Sequence, residues 1–328
     1  MSAVEMIELW RGGLLEGVHR GHAVIHDGQD VVAAWGDPGK VIFPRSSCKM
    51  IQALPLLESG AADAAGLGPE QLALSCASHN GAALHAGKVG AWLDGIGLGE
   101  SDLRCGCHMP WDKDENRRLT CSDHKPNQLH NNCSGKHAGF LTWTRHAKAG
   151  LEYVEIDHPL QHAIRQATAE VTGEDPAGYG IDGCSAPNFA GSITGLARAM
   201  AAFAQPGGDA RGQAMARLVQ AMTAYPELVA GEGRACTELM RAMSGRVAVK
   251  TGAEAVFIAI IPEKKLGVAV KIEDGGTRAS EAAITALLVH LGVLDKDHPV
   301  VGKYLTNPMK NWRGIEVGGL RLAPGFPG

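Results

Sequence analysis

The sequence predicts an α/β fold with a single antiparallel sheet built from both ends of the chain and a helical subdomain inserted between its halves. Two observations predict it: strand patterns are confined to the ends of the 328-residue chain, and Ala-rich helical patterns fill the middle. We expect the sheet subdomain to comprise about residues 1–45 and 245–328, and the helical subdomain about residues 46–244. Sites in such folds tend to lie in clefts.

The strand patterns at the two ends are β-hairpins. Near the start, Val18–Ile25 and Val31–Trp35 flank Asp27-Gly28, a dipeptide that favours a tight hairpin turn. Near the end, Ala255–Ile261 and Leu266–Ile272 are apolar runs joined by a short polar connection. The two hairpins therefore supply the core strands of the expected sheet.

The clearest helical pattern is Thr277–Leu291, near the end of the chain, where apolar residues recur at helical spacing and Thr277 is the expected N-cap. The middle of the chain has six further helix candidates, and Pro55 should kink or shorten the first. They are residues 46–58, 82–94, 135–148, 159–172, 188–204 and 211–224. Residues 104–134 show no clear period and predict a long functional loop.

Composition excludes several classes of protein. Hydrophobic residues make up 45% of the chain and charged residues 20%, the balance of a globular protein, and no apolar run approaches the ~18 residues of a membrane span. The net charge of −4, spread along the chain, argues against a nucleic-acid partner. The start of the sequence lacks signal-peptide features, so we expect a cytoplasmic protein whose eight cysteines are mostly reduced.

The strongest local signal for chemistry is Ser46-Ser47-Cys48-Lys49, an S-x-x-K motif that opens a helical segment. Positions i and i+3 share a helix face, so the Lys49 amine can reach the Ser46 hydroxyl. A serine hydroxyl needs an adjacent base to become a nucleophile, and a lysine of lowered pKa can serve as that base. The alternative without catalysis is that the serine caps the helix N-terminus and the lysine is exposed to solvent.

Two further motifs follow in chain order. Ser78-His79-Asn80 has the form S-x-N, and Lys250-Thr251-Gly252 closes a strand candidate. Together with S-x-x-K, they form the motif set of serine β-lactamases and penicillin-binding proteins. This order of motifs favours an acyl-transfer enzyme in which the Ser46 and Ala253 backbone N–H groups hold the oxyanion.

Two other segments make the resemblance more specific. Cys133-Ser134-Gly135-Lys136-His137-Ala138-Gly139 and Asp182-Gly183-Cys184-Ser185-Ala186-Pro187-Asn188 are not β-lactamase motifs. With the motifs above, they resemble the asparaginase II family, the rhizobial-type class 3 L-asparaginases, over roughly residues 5–295. The resemblance implies a single catalytic unit with the serine β-lactamase-like fold, hydrolysis of L-asparagine to L-aspartate and ammonia, and a homodimer.

The resemblance also implies roles for individual residues. Family members are described as using two Ser–Lys pairs, which match Ser46 with Lys49 and Ser78 with Lys250. They hold zinc beside the catalytic centre, and the matching ligands are Cys133, Lys136 and Cys184. Residues implied in substrate binding are Arg45, Asn80 and Asp182.

The residues alone support a metal site only in part. Thiolates suit zinc, but two cysteines with a lysine leave the fourth position open or filled by water. The alternative is that both cysteines are small buried packing residues. We expect such a metal to position the substrate, because Ser46 already supplies a nucleophile.

A weaker metal candidate is Cys105-Gly106-Cys107-His108, together with Cys121 and His124. Cys48, Cys76 and Cys236 are expected to pack in the core.

Three other functions stay open at this point. A glutaminase of the same fold would prefer the longer amide. A β-lactamase or penicillin-interacting relative would share all three catalytic motifs. A zinc-stabilised binding protein without catalysis would keep the cysteines and make the Ser–Lys pairs incidental.

Overall fold

A computed structural model describes residues 2–306 and 308–328. The chain forms two compact units. The first comprises Met1–Ser47, Gly191–Gln205 and Glu238–Gly328, and the second comprises Cys48–Ala190 and Pro206–Thr237. The subdomain boundaries expected from the sequence stay a prediction.

The strands lie mostly at the two ends of the chain. They are β1 Val4–Arg11, β2 Leu14–His26, β3 Val31–Trp35, β4 Val41–Ile42, β5 Gly178–Ile181, β6 Pro187–Ser192, β7 Ala248–Gly252, β8 Val256–Ile261, β9 Leu266–Ile272, β10 Met309–Lys310 and β11 Glu316–Leu322. Eight of them form one sheet in the order β10-β11-β1-β2-β9-β8-β7, with β3 paired to β2. Every pairing in this sheet is antiparallel. The α/β fold with one antiparallel sheet from both termini is confirmed.

The helices occupy most of the middle of the chain. They are α1 Lys49–Gln52, α2 Leu54–Glu58, α3 Ala61–Ala64, α4 Pro69–Ser75, α5 Ala83–Gly95, α6 Lys113–Thr120, α7 Ser134–His146, α8 Pro159–Thr172, α9 Ile193–Ala204, α10 Ala210–Ala224, α11 Pro226–Val229, α12 Ala235–Ala242, α13 Thr277–His290 and α14 Pro299–Val301.

The core of the first unit lies on both sides of β8. All six β8 residues are buried, which requires cover on both faces because successive side chains of a strand point to opposite faces. α9 and α13 pack on β8 and β9. Gly267 lets α9 approach closely, since a Cβ there would lie 2.2 Å from the Ala197 carbonyl oxygen. β8 pairs in turn with β7, whose end carries the Lys-Thr-Gly motif.

The second unit packs α4 against α7 and α10, and α5 against α7. α4 and α7 meet at backbone distance, because a Cβ on Gly135 would lie 2.4 Å from the Leu74 carbonyl oxygen. Ser78 follows the end of α4, and Cys133 and Lys136 lie at the start of α7. A glycine at position 135 therefore brings two of the sequence motifs together.

Several expected elements differ in detail. The first helix is broken at Ala53, just before Pro55, because a proline inside a helix removes a hydrogen bond. The expected helix 188–204 is wrong in its first turn, where β6 pairs with β5. The expected long loop 104–134 contains α6, which Asp112 caps through the Glu115 N–H. Gly276, rather than Thr277, occupies the N-cap of α13.

Candidate active site

Ser46 lies in a short 3-10 turn, Arg45–Cys48, directly before α1, and its side chain is half-buried. The residue before it, Arg45, has a φ of +53°, a left-handed conformation that costs a non-glycine residue about 1–2 kcal/mol. Strained residues of this kind cluster at functional sites. The strain at Arg45 marks the turn that presents Ser46.

The Lys-Thr-Gly motif ends β7 and packs against the same turn within the first unit. Lys250 is fully buried, and its Nζ donates to the Thr251 carbonyl oxygen at 2.6 Å. A Cβ on Gly252 would lie 2.6 Å from the Pro44 carbonyl oxygen and 3.1 Å from the Ser47 nitrogen. Only glycine leaves room for this approach, which places the end of β7 beside the segment that carries Ser46.

A second strained turn follows Gly252. Glu254 and Ala255 have φ values of +57° and +55°, and their carbonyl oxygens accept hydrogen bonds from the Lys271 ammonium and the Ile272 N–H. Ala253, the expected second oxyanion donor, precedes this pair and is exposed. Contacts from β9 therefore hold the turn in a conformation that these residues would not adopt in isolation.

Lys49, in the second unit, is 1% exposed and forms three hydrogen bonds. Its Nζ donates to the Ala77 carbonyl oxygen, to Ser78 Oγ at 3.0 Å and to Cys133 Sγ at 3.1 Å. Lys49 thus links the S-x-N segment to the cysteine of α7, a contact that the sequence analysis did not anticipate.

The backbone around Ser78 is fixed on two sides. The Ser78 N–H donates to the Val229 carbonyl oxygen at 2.8 Å. His79 is fully buried, and burial, followed by the neighbouring His85, lowers its pKa well below the usual range. Its Nδ1 accepts from the Gly81 N–H, so Nε2–H donates to Ser134 Oγ at 3.0 Å. His79 therefore anchors this segment to the start of α7.

Cys133, Cys184 and Lys136 form a buried cluster in the second unit. The two thiols are hydrogen-bonded, and Lys136 Nζ lies 3.1 Å from Cys184 Sγ. The hydrogen bond from Cys133, together with the Lys136 and Lys49 ammonium groups, holds the pKa of Cys184 well below its ordinary value. The same hydrogen bond and burial raise the pKa of Cys133 to about 12. The pKa values of the two sulfurs are therefore shifted in opposite directions, downward at Cys184 and upward at Cys133.

Asn80 is buried, and its Nδ2 donates to Asp112 Oδ2 at 3.5 Å. Gly231 makes room for it, since a Cβ there would lie 2.4–2.6 Å from the Asn80 amide. Asp182, by contrast, is half-buried and caps its own turn, where its Oδ1 accepts from the Gly183 N–H. Its charge contributes to raising the pKa of Lys136.

The other cysteines divide as follows. Cys48, Cys76 and Cys236 are buried, as expected for packing residues, whereas Cys107 and Cys121 are exposed. Within residues 2–306 and 308–328, no group of three or more His, Cys, Asp or Glu side chains could hold a metal, which gives no support to the Cys105–His124 candidate. The Cys133–Lys136–Cys184 cluster contains only two side chains of these types.

Tyr153 and His137 are buried neighbours of this cluster; the sequence places His137 beside the expected ligands, whereas Tyr153 was not expected at the site. The Tyr153 hydroxyl accepts from the Arg104 N–H at 2.7 Å and lies 2.9 Å from His137 Nδ1. His137 directly follows Lys136, so this contact ties the cluster to the start of the 104–134 segment. The only sequence signal for it is the position of His137 beside a candidate ligand.

Comparisons with known proteins place these residues in a family context. The family model described as L-asparaginase II matches residues 7–322. No curated protein sequence matches the chain. No helix within the described residues is long and apolar enough to cross a membrane.

Solved structures give more distant similarities. A β-lactamase from Mycobacterium bovis is 15% identical, with 84% of this chain and 95% of that chain covered and a TM-score of 0.45. The native form of Mglu is 12% identical, with 85% and 66% covered and a TM-score of 0.47. An octameric penicillin-binding protein homologue from Pyrococcus abyssi is 14% identical, with 84% and 74% covered and a TM-score of 0.36.

Proposed function

The chain belongs to the L-asparaginase II family, and from this premise we propose that it is an L-asparaginase (EC 3.5.1.1) that hydrolyses L-asparagine to L-aspartate and ammonia. The observation that carries the proposal beyond the family match is Lys49. A buried lysine of an S-x-x-K motif donates to the serine of an S-x-N motif 29 residues away. That arrangement suits proton transfer between a lysine and a serine.

In the proposed reaction, the Ser46 hydroxyl attacks the side-chain amide carbon of asparagine while Lys49 takes its proton. The Ser46 and Ala253 N–H groups stabilise the oxyanion. Ammonia leaves with a proton delivered through Ser78 and Lys250, and water then hydrolyses the aspartyl ester to release Ser46.

Two strained turns, at Arg45 and at Glu254-Ala255, support the assignment of Ser46 and Ala253.

Substrate binding is proposed for Arg45, Asn80 and Asp182. Asn80 is buried, and its backbone carbonyl accepts from the Asp112 N–H at 2.9 Å, which suits a group that must orient a small amino acid. A homodimer, which rests on the family resemblance alone, and a cytoplasmic location are two further parts of the proposal.

A zinc ion is also proposed, with Cys133, Cys184 and Lys136 as its ligands. The donor chemistry fits: two buried cysteine sulfurs, one of lowered pKa, and a buried amine lie close together. Bound there, zinc would supply a fixed positive charge for orienting the polar groups of the substrate. Lys136 would have to lose its proton to bind it.

The proposed activity is tested with the purified full-length chain. We expect stoichiometric ammonia and aspartate from L-asparagine, slower ammonia release from L-glutamine and no turnover of nitrocefin. Faster release from glutamine would make the protein a glutaminase. Nitrocefin turnover without ammonia release would make it a β-lactamase relative, and no turnover of any substrate would favour a non-catalytic binding protein.

The zinc site is tested by elemental analysis. We expect a stoichiometric amount of zinc in the unmodified protein and little in Cys133→Ser, because loss of one of two sulfur ligands weakens a zinc site strongly. Cys107→Ser is the matched control, since Cys107 is an exposed cysteine of the same unit and should leave the zinc content unchanged. Equal zinc in all three proteins would reject the site.

A further inference from the structure

Three segments of the second unit meet around Asn80. The Asp112 N–H donates to the Asn80 carbonyl oxygen at 2.9 Å, which joins the segment at Trp111 to the S-x-N motif. Gly231 packs on the Asn80 amide, and the Arg234 N–H donates to the Gly231 carbonyl oxygen at 3.4 Å. Arg234 and Trp111 therefore both lie within a few residues of groups that contact Asn80.

The side chains of Arg234 and Trp111 are stacked. The Arg234 guanidinium lies over the Trp111 ring, 5.3 Å from its centroid, and His108 stacks on the same ring at 5.4 Å. Guanidinium groups are attracted to aromatic faces, and the contact leaves their in-plane N–H groups available. Trp111 is 57% exposed, so the stack lies where a dissolved ligand can reach it.

Arg234 forms no ion pair with a carboxylate within the described residues, in contrast to the half-buried Arg104 and Arg211. Arg104 pairs with Glu152 at 2.7 Å, and Arg211 pairs with Glu58 at 2.6 Å. Asp112 is the acidic residue next to Trp111. Its carboxylate accepts hydrogen bonds from the Glu115 N–H, as the N-cap of α6, and from Asn80 Nδ2. Arg234 is thus a positively charged side chain that contacts Trp111 and can donate hydrogen bonds to an anion.

We propose that Arg234 binds the α-carboxylate of the amino-acid substrate, with Trp111 as the surface that holds the guanidinium in place. The proposal rests on the proposed asparaginase activity and adds a binding group to it. A guanidinium presents paired N–H donors that match a carboxylate, and charge-assisted hydrogen bonds of this type are among the strongest in proteins. Arg234 makes no contact with the reacting amide in this proposal, so it acts on substrate binding.

The test compares Arg234→Met with the unmodified enzyme on two substrates. For L-asparagine, we expect KM to rise by about 10- to 100-fold with kcat within about twofold, the pattern of a lost ground-state contact. For 3-aminopropanamide, which is asparagine without its α-carboxylate, kcat/KM should be the same in both proteins. Arg234→Lys, which keeps the charge without the paired donors, should recover part of the loss.

Arg117→Met serves as the matched control, because Arg117 is an exposed arginine of α6 in the same unit. An unchanged KM in Arg234→Met would overturn the proposal, as would equal loss on both substrates, which would show a structural role. If the unmodified enzyme releases no ammonia, the proposed function fails. Calorimetric titration with L-aspartate then decides the carboxylate site: weaker binding in Arg234→Met supports it, and equal or absent binding in both proteins overturns it.

Discussion

Ser46→Ala should lower kcat for asparagine hydrolysis by about a thousandfold or more while leaving the fold intact. The expected loss is large because the variant has no nucleophile to form the aspartyl ester, and only binding and oxyanion stabilisation remain. Because Ser46 is half-buried, an alanine at this position leaves no enclosed cavity. Ammonia release under saturating asparagine measures the effect.

Ser47→Ala is the matched control in the same turn. Ser47 is fully buried and its hydroxyl donates to the Pro44 carbonyl oxygen at 2.7 Å, so its loss should cost about 1 kcal/mol of stability with little change in kcat. The assignment of Ser46 as nucleophile fails if Ser46→Ala keeps near-normal kcat, or if Ser47→Ala shows the larger loss of the two.

Lys49→Met should lower kcat by about 100- to 10,000-fold, because it removes the proposed general base. Methionine fills most of the same buried space, but it removes the amine that donates to the Ala77 carbonyl oxygen, Ser78 Oγ and Cys133 Sγ. An unpartnered buried acceptor costs about 1–3 kcal/mol, so we also expect lower stability in a denaturant titration. Steady-state kinetics at a temperature where the variant remains folded measures the catalytic loss.

Lys88→Met separates catalysis from the general effect of removing a lysine in this unit. Lys88 forms a part-exposed ion pair with Glu70 at 2.7 Å, and its loss should change stability by less than about 1 kcal/mol and leave kcat unchanged. A Lys49→Met enzyme that is destabilised yet turns over asparagine at the normal rate would show that Lys49 is structural.

The fold was predictable where local patterns are strong. The two hairpins at Val18–Trp35 and Ala255–Ile272 have alternating or fully apolar strands around short polar connections, and both are present in the sheet. The expected helix at 188–204 was wrong at its start because the pairing of β6 with β5 overrides local helical preference. Strand β11, with two central glycines, had no pattern that local reasoning could recognise, and its pairing with β1 supplies its stability.

The candidate site was predictable in its motifs and less so in its contacts. The spacing of Ser46 and Lys49 is a local property, and the motifs at Ser78, Cys133 and Lys250 are short segments that can be recognised in the sequence. The contact of Lys49 with Cys133, 84 residues away, has no sequence signature. Neither has the stack of Arg234 on Trp111, because Trp111 lies in a segment without periodicity.

The sequence by itself determined the α/β class, the L-asparaginase II family and the residue types available for acyl transfer, because these depend on periodicity and short motifs. Only the tertiary structure decided which of those residues meet. Gly135 brings α4 against α7, and Gly252 brings the end of β7 against the turn of Ser46, at distances that any Cβ would prevent. Such contacts depend on how segments distant along the chain pack, and local sequence does not encode that packing.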